Sequence, residues 1–160
     1  MPSLRPTSRT ESEGFVKIRF PLNEEDWEGL DAENLWAEPI SDGAFKIDNV
    51  PFYVYGVSNE DVVSARLIEG RLQFQSVLTR GGHSTYRVWL QDPEGYEGTG
   101  WKELWPYFAE LGCSFERAKQ RWMAIDVPKA SNVDAVYALL AEGEADGVWE
   151  FSEGHCGHSL

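Results

Sequence analysis

Histidine and cysteine are scarce in this chain, and they cluster. Two of its three histidines and one of its two cysteines fall in the closing stretch Gly154-His155-Cys156-Gly157-His158. Imidazole and thiolate are the ligands that hold tetrahedral zinc. His155 and His158 stand three apart, so a tight turn at Gly157 can aim both rings at one ion, with Cys156 adding a thiolate. His83 is the histidine left to complete a set, and Glu150 or Glu153 can ligate through oxygen or orient a ring. The expected metal set is therefore His83, His155, Cys156 and His158, with zinc as the ion. With three protein ligands and an open position, such a site activates water for hydrolysis. Closed, it pins the tail. The spacing matches no standard finger, and neither CxxC nor HExxH occurs. A docked tail whose imidazoles hydrogen-bond locally accounts for the same residues, so both readings stand open.

Other reactive constellations are thinner. Cys156 as nucleophile with His158 as base places the two residues on opposite sides of an extended segment, and only a turn would pair them. Cys113 follows an expected helix C-terminus, where the dipole disfavours a thiolate, and reads as core. His83-Ser84-Thr85 with Arg87 makes a polar cluster without a nucleophile elbow. Turn hydroxyls satisfying backbone groups explain it more simply. No residue is singled out as catalytic.

The elements that must position these groups follow from periodicity. Phe15-Val16-Lys17-Ile18-Arg19-Phe20 alternates, which predicts a strand stopped by Pro21. Ser41-Asp42-Gly43 is a turn signal between strands over 35–40 and 44–50. Two more strands, 62–68 and 71–79, flank Glu69-Gly70. Short strands at regular spacing without a helix predict a small SH3-like β-barrel over 15–82. After Gly81-Gly82 the pattern changes to strand, helix, strand, strand, helix, strand, the ferredoxin-like order, over 83–152. Pro106 places the start of the first helix near Trp105. Ser131 and Asp134 stand at capping-box spacing before the second. The expected class is α+β: a disordered tail over 1–14, the barrel, the ferredoxin-like half, and a His/Cys tail over 153–160. In that topology the first and last strands of the second half are neighbours, which brings the tail back beside His83.

Composition narrows the partners. Net charge is −13 over 160 residues, with 27 acidic against 14 basic side chains. No basic stripe exists for a phosphate backbone, so nucleic acid and anionic membranes are not expected partners. No run approaches a membrane span, and the start lacks an apolar signal region. Two cysteines without an export signal read as reduced thiols in a cytoplasm. Seven tryptophans read as core and inter-domain packing, although Pro51-Phe52-Tyr53-Val54-Tyr55 could line a peptide groove.

The segments LWAEPISDGAFKIDNVPFYVYGVSNEDVV, GGHSTYRV and DVPKASNVDAVYALLAEGEADGVWEFSEGHCGH carry a further signal. Together they resemble a bacterial family catalogued as a domain of unknown function, number 4265. The resemblance runs from Phe15 onward and implies a bacterial cytoplasmic protein with one architecture. It implies no catalytic residues. Two function classes are expected. One is a small acidic binding protein that recognises a basic protein, as an inhibitor or immunity-type antidote. The other is a metal-binding protein or zinc-dependent hydrolase built on the His/Cys cluster. The sequence specifies neither oligomeric state nor ligand.

Overall fold

The computed structural model describes residues 3–4 and 10–159. It is a mixed α+β structure, mostly strands with two α-helices. Of the expected 1–14 tail, residues 1–2 and 5–9 lie outside the described residues. Ser3–Leu4 form a two-residue strand, β1, and Glu11–Glu13 a single 3-10 turn.

The first half is a sheet of five strands: β2 (Val16–Pro21), β3 (Ala32–Ser41), β4 (Ala44–Ile47), β5 (Val62–Ile68) and β6 (Arg71–Thr79). Consecutive strands pair antiparallel. A short parallel pairing of β2 with β6, at Ile18–Leu72 and Arg19–Gln73, closes the sheet into a barrel. Period-two alternation puts Ile18, Phe20, Leu35, Ile47 and Val63 inside. Gly43 turns the β3–β4 hairpin in the left-handed region, φ +73°, where a side chain would be strained. Pro39 sits where the β3–β4 register shifts, so its missing N–H costs no regular ladder bond.

The second half runs β7 (Ser84–Leu90), α1 (Gly100–Glu110), β8 (Ser114–Ala118), β9 (Trp122–Val127), α2 (Val133–Ala145) and β10 (Trp149–His155). Its sheet has the order β1-β8-β9-β7-β10, and every pairing is antiparallel except that of β1 with β8. Tyr86, Val88, Leu90, Met123, Ile125 and Val127 project to one face, where Trp101, Trp105 and Phe108 of α1 and Val136 and Leu140 of α2 cover them.

Three local expectations are corrected. α1 starts at Gly100 rather than near Trp105 and carries Pro106 inside it. Trp101, Trp105 and Phe108 share the buried face, while Pro106 is exposed, so the lost i−4 bond falls on the solvent side. The cap of α2 is Asn132, whose Oδ1 accepts from Ala135 N, whereas the Ser131 hydroxyl donates to the Leu111 carbonyl at the end of α1. The last strand reaches His155, so the expected boundary at 152/153 falls inside β10.

The other face of this sheet, with Thr85, Arg87, Trp89, Glu116 and Asp126, turns toward the barrel. The connection 48–61 between β4 and β5 crosses it without regular structure. Val57 of this strap plugs the barrel core.

Candidate functional site

The strap is held by side chains from both halves. From β3, the Glu33 carboxylate accepts the N–H groups of Phe52, Tyr53 and Val54 at 2.8–3.0 Å. From β7, Arg87, 1% exposed, donates to the carbonyls of Pro51, Tyr53 and Val54. One short segment thus gives three donors to an acid and three acceptors to a base. Burial pushes the Glu33 carboxyl up against the opposing pull of the three N–H groups and Arg87. Burial likewise lowers Arg87, which remains a cation because guanidinium does not deprotonate in proteins. Further along, Glu116 accepts from Asn49 Nδ2 and Val50 N, both at 2.7 Å, and Gly56 N donates to the Gly154 carbonyl. A Cβ on Gly154 would press on the Arg87 guanidinium, so glycine is what admits the arginine there.

The three histidines lie along the same seam, each with its own partners. His83 Nδ1 meets Asp126 Oδ1 at 2.9 Å, and Asn59 donates to the same carboxylate. His155, the last residue of β10, lies beside Thr85 of β7, and its Nδ1 is 3.0 Å from Ser58 Oγ. Ser58 in turn bonds Thr85 Oγ1 at 2.7 Å. Burial, with Arg80 adding to it, lowers the His155 pKa and favours the neutral ring. His158 Nε2 donates to the Pro128 carbonyl at 2.9 Å, and its Nδ1 lies 2.6 Å from Ser84 Oγ. Ser84 Oγ also accepts Gly157 N–H at 2.9 Å. The tail therefore docks against the Gly81-Gly82-His83 hinge. The approach is so close that a Cβ on Gly157 would collide with the His83 carbonyl.

These bonds show how the four expected ligands are placed. Zinc takes an imidazole lone pair, and His158 has committed both ring nitrogens to protein partners. Cys156 Sγ points to the His158 carbonyl, 3.6 Å away, rather than to a ring. Glu153 accepts the Tyr86 hydroxyl, and Glu150 is exposed. Among the described residues, no three His, Cys, Asp or Glu side chains gather where they could hold an ion. His83, His155, Cys156 and His158 share a seam but not a point. Cys113 is buried, with burial as the main reason its thiol is pushed up to about 12, which makes it inert at neutral pH.

A second feature faces outward. Between β2 and β3 the chain turns through residues 22–31, where Glu24, Glu25, Asp26, Glu28 and Asp31 are exposed around Trp27. Among the described residues this loop makes one ion pair, Asp31 with Arg19 at 3.7 Å. Trp27 Nε1 donates to the Tyr53 carbonyl of the strap at 2.8 Å. Its ring stands edge-on to Tyr53 at 5.1 Å and near-parallel to Tyr55 at 6.1 Å. Trp122 continues the cluster, 6.2 Å from Trp27 and 5.6 Å from Trp89. Tyr55 is 48% exposed and Trp89 38%. A cleft of about 180 Å³ opens between loop and strap, lined by Leu22, Asp26, Trp27, Tyr53 and Tyr55 among others.

The histidines, the neighbouring terminal strands and the aromatic Pro51–Tyr55 stretch stand out in the sequence, whereas the strap's role does not. One signal was present. Arg87 is the sole charge in the apolar strand STYRVWL, and a buried arginine requires acceptors from elsewhere in the chain. Nothing in the sequence distance between Glu33 and Tyr53 announced that one would cap the other.

Comparison places this architecture among known ones. The sequence profile described as "Domain of unknown function (DUF4265)" matches residues 33–151. A crystal structure of a hypothetical protein from Neisseria gonorrhoeae superposes with a TM-score of 0.74 at 18% identity, covering 90% of this chain and 96% of that one. That likeness shows a shared fold. No curated protein matches the sequence.

Proposed function

For this chain, which belongs to the family described as Domain of unknown function (DUF4265), we propose a role as a small acidic binding protein that recognises a basic protein partner, as an inhibitor or immunity-type antidote. The observation that carries the reading is the exposed acidic loop 22–31. No lysine or arginine occurs between Arg19 and Lys46, and among the described residues only Asp31 of the loop's carboxylates pairs with a cation, Arg19, while Trp27 and the exposed Tyr55 stand beside them. Charge of one sign beside aromatic anchors is the surface that steers and then holds an oppositely charged protein. The seam polar groups, by contrast, are occupied in holding the halves together.

We read the closed five-stranded unit as SH3-like and the second half as ferredoxin-like; the element order and the sheet order β8-β9-β7-β10 support it. Two free cysteines agree with a reducing cytoplasm, and no described helix is long and apolar enough to cross a membrane.

The test is association kinetics with a basic protein recovered by affinity capture. Binding should slow steeply as salt rises, and triple reversal Glu24→Lys/Glu25→Lys/Glu28→Lys should abolish it. A partner whose on-rate ignores both salt and the reversal would refute the proposal. The metal-binding or zinc-hydrolase alternative stands or falls on metal analysis of untagged protein. Near-stoichiometric zinc, lost in His155→Ala/His158→Ala, would displace the binding reading.

A further inference from the structure

We infer that the cleft between the 22–31 loop and the strap is a pocket for one arginine side chain of the partner, stacked against Trp27 and Tyr55 and paired with Asp26. This rests on the binding role proposed above and names its central contact. The cleft's lining joins three aromatic side chains, Trp27, Tyr53 and Tyr55, with one charged residue, Asp26; the Asn23 amide and smaller apolar groups complete it. A planar cation satisfies both at once, because guanidinium stacks flat on an aromatic face while its edge donates to a carboxylate. Asp26 has no cationic partner among the described residues.

The walls are set before any partner arrives. The Trp27 indole N–H is tied to the Tyr53 carbonyl, which also accepts from Arg87. Arg87 itself sits 4.9 Å from the Tyr55 ring centroid, so the protein already holds one guanidinium against this tyrosine from within. The same buried clamp that fixes the strap therefore fixes the pocket's rings, and a preorganised pocket loses less on binding. Glu24, Glu25 and Glu28 add field around the mouth and repel acidic competitors.

The probe is a hexa-arginine peptide titrated into the full chain, read by calorimetry and by the indole N–H resonance of Trp27. Wild type should bind, shift that resonance, and take hexa-lysine less tightly, since ammonium does not stack. Asp26→Asn should raise the dissociation constant about tenfold, and Tyr55→Leu about fivefold. Asp26 is exposed and has no cationic partner among the described residues, so the Asp26→Asn melt should match wild type, whereas Tyr55→Leu also gives up the Arg87 contact and should melt slightly lower. Glu142→Gln removes an equal charge from α2, on the opposite face of the sheet, and should change affinity less than twofold. Equal weakening by Asp26→Asn and Glu142→Gln, or equal binding of hexa-lysine, would overturn the pocket and leave the acidic-surface role standing. No binding of hexa-arginine by wild type at low salt would overturn both.

Discussion

Strand β7 shows two ways of building on one piece of backbone. On the helix side, Tyr86, Val88 and Leu90 meet Met123, Ile125, Phe108 and Leu140 in a contiguous apolar cluster. On the barrel side, Thr85 meets the Ser58 hydroxyl, and Arg87 meets the carbonyls of an irregular strap. The first face is nondirectional: it rewards burial in proportion to area, and many shape-conserving sets of side chains would serve. The second is directional, because Arg87 and Glu33 each have named partners in the strap and a misplaced strap would leave those charges buried without them. The helix side makes the second half stable. The barrel side decides where the first half sits.

That contrast can be broken, or made sharper, by mutation. The largest loss is expected on the apolar side: Phe108→Ala should cost about 4 kcal/mol in urea unfolding and leave amide protection in the barrel largely intact. Next is Arg87→Met, which keeps volume but strands three carbonyls and Glu33; about 3 kcal/mol is expected, together with rapid hydrogen exchange of the Phe52, Tyr53 and Val54 amides. A cost below 1 kcal/mol with unchanged exchange would show that the polar side contributes little and that shape alone seats the strap. Gly157→Ala should lower stability by about 1–2 kcal/mol and expose the tail to carboxypeptidase, since the collision with the His83 carbonyl is met by undocking.

The smallest effects are those of pH. Burial holds the His155 pKa below its ordinary 6.5, so the folded seam binds fewer protons than the unfolded chain. Its contribution is present above 6.5 and is lost as pH falls through the lower folded value, so tail protection should weaken on acidification. Cys113 works in the opposite sense. With its thiol pushed from 9.0 to about 12, its contribution is complete below 9 and fades as pH climbs from there, a loss the Cys113→Ser variant should not share in thermal melts. An acid limb unchanged in His155→Gln would remove this histidine from the account.

Both sides of β7 were unequally legible in the sequence. Alternation located the strands of the barrel and the stripe of α2, because burial on one face imposes a period that needs no knowledge of the partner. The neighbouring terminal strands followed from element order alone, and Trp149–His155 does pair with β7. Helix α1 was harder: Pro106 spoke locally for a break, whereas Trp101, Trp105 and Phe108 anchored the whole turn below it. The strap was not legible. Pro51 to Ser58 has no period, and its conformation is dictated by Glu33 and Arg87, which stand far from it along the chain. The tail's imidazoles drew notice through rarity. Their bonds to Ser58, Ser84, Asp126 and Pro128 depend on register and turns that composition does not encode.

The hydrogen bond from Ser58 to His155 spans 97 residues of chain. On the ribosome, the barrel strands emerge first, and the hydroxyl of Ser58, the carboxylate of Glu33 and the carbonyls of the strap all appear before β7 and β10 exist. The early half must therefore wait, half-dressed and hydrated, until β7 and β10 have been made. A nascent chain that has not yet made β10 carries the barrel strands but lacks His155, so the joint between the halves closes only after the second half has been made.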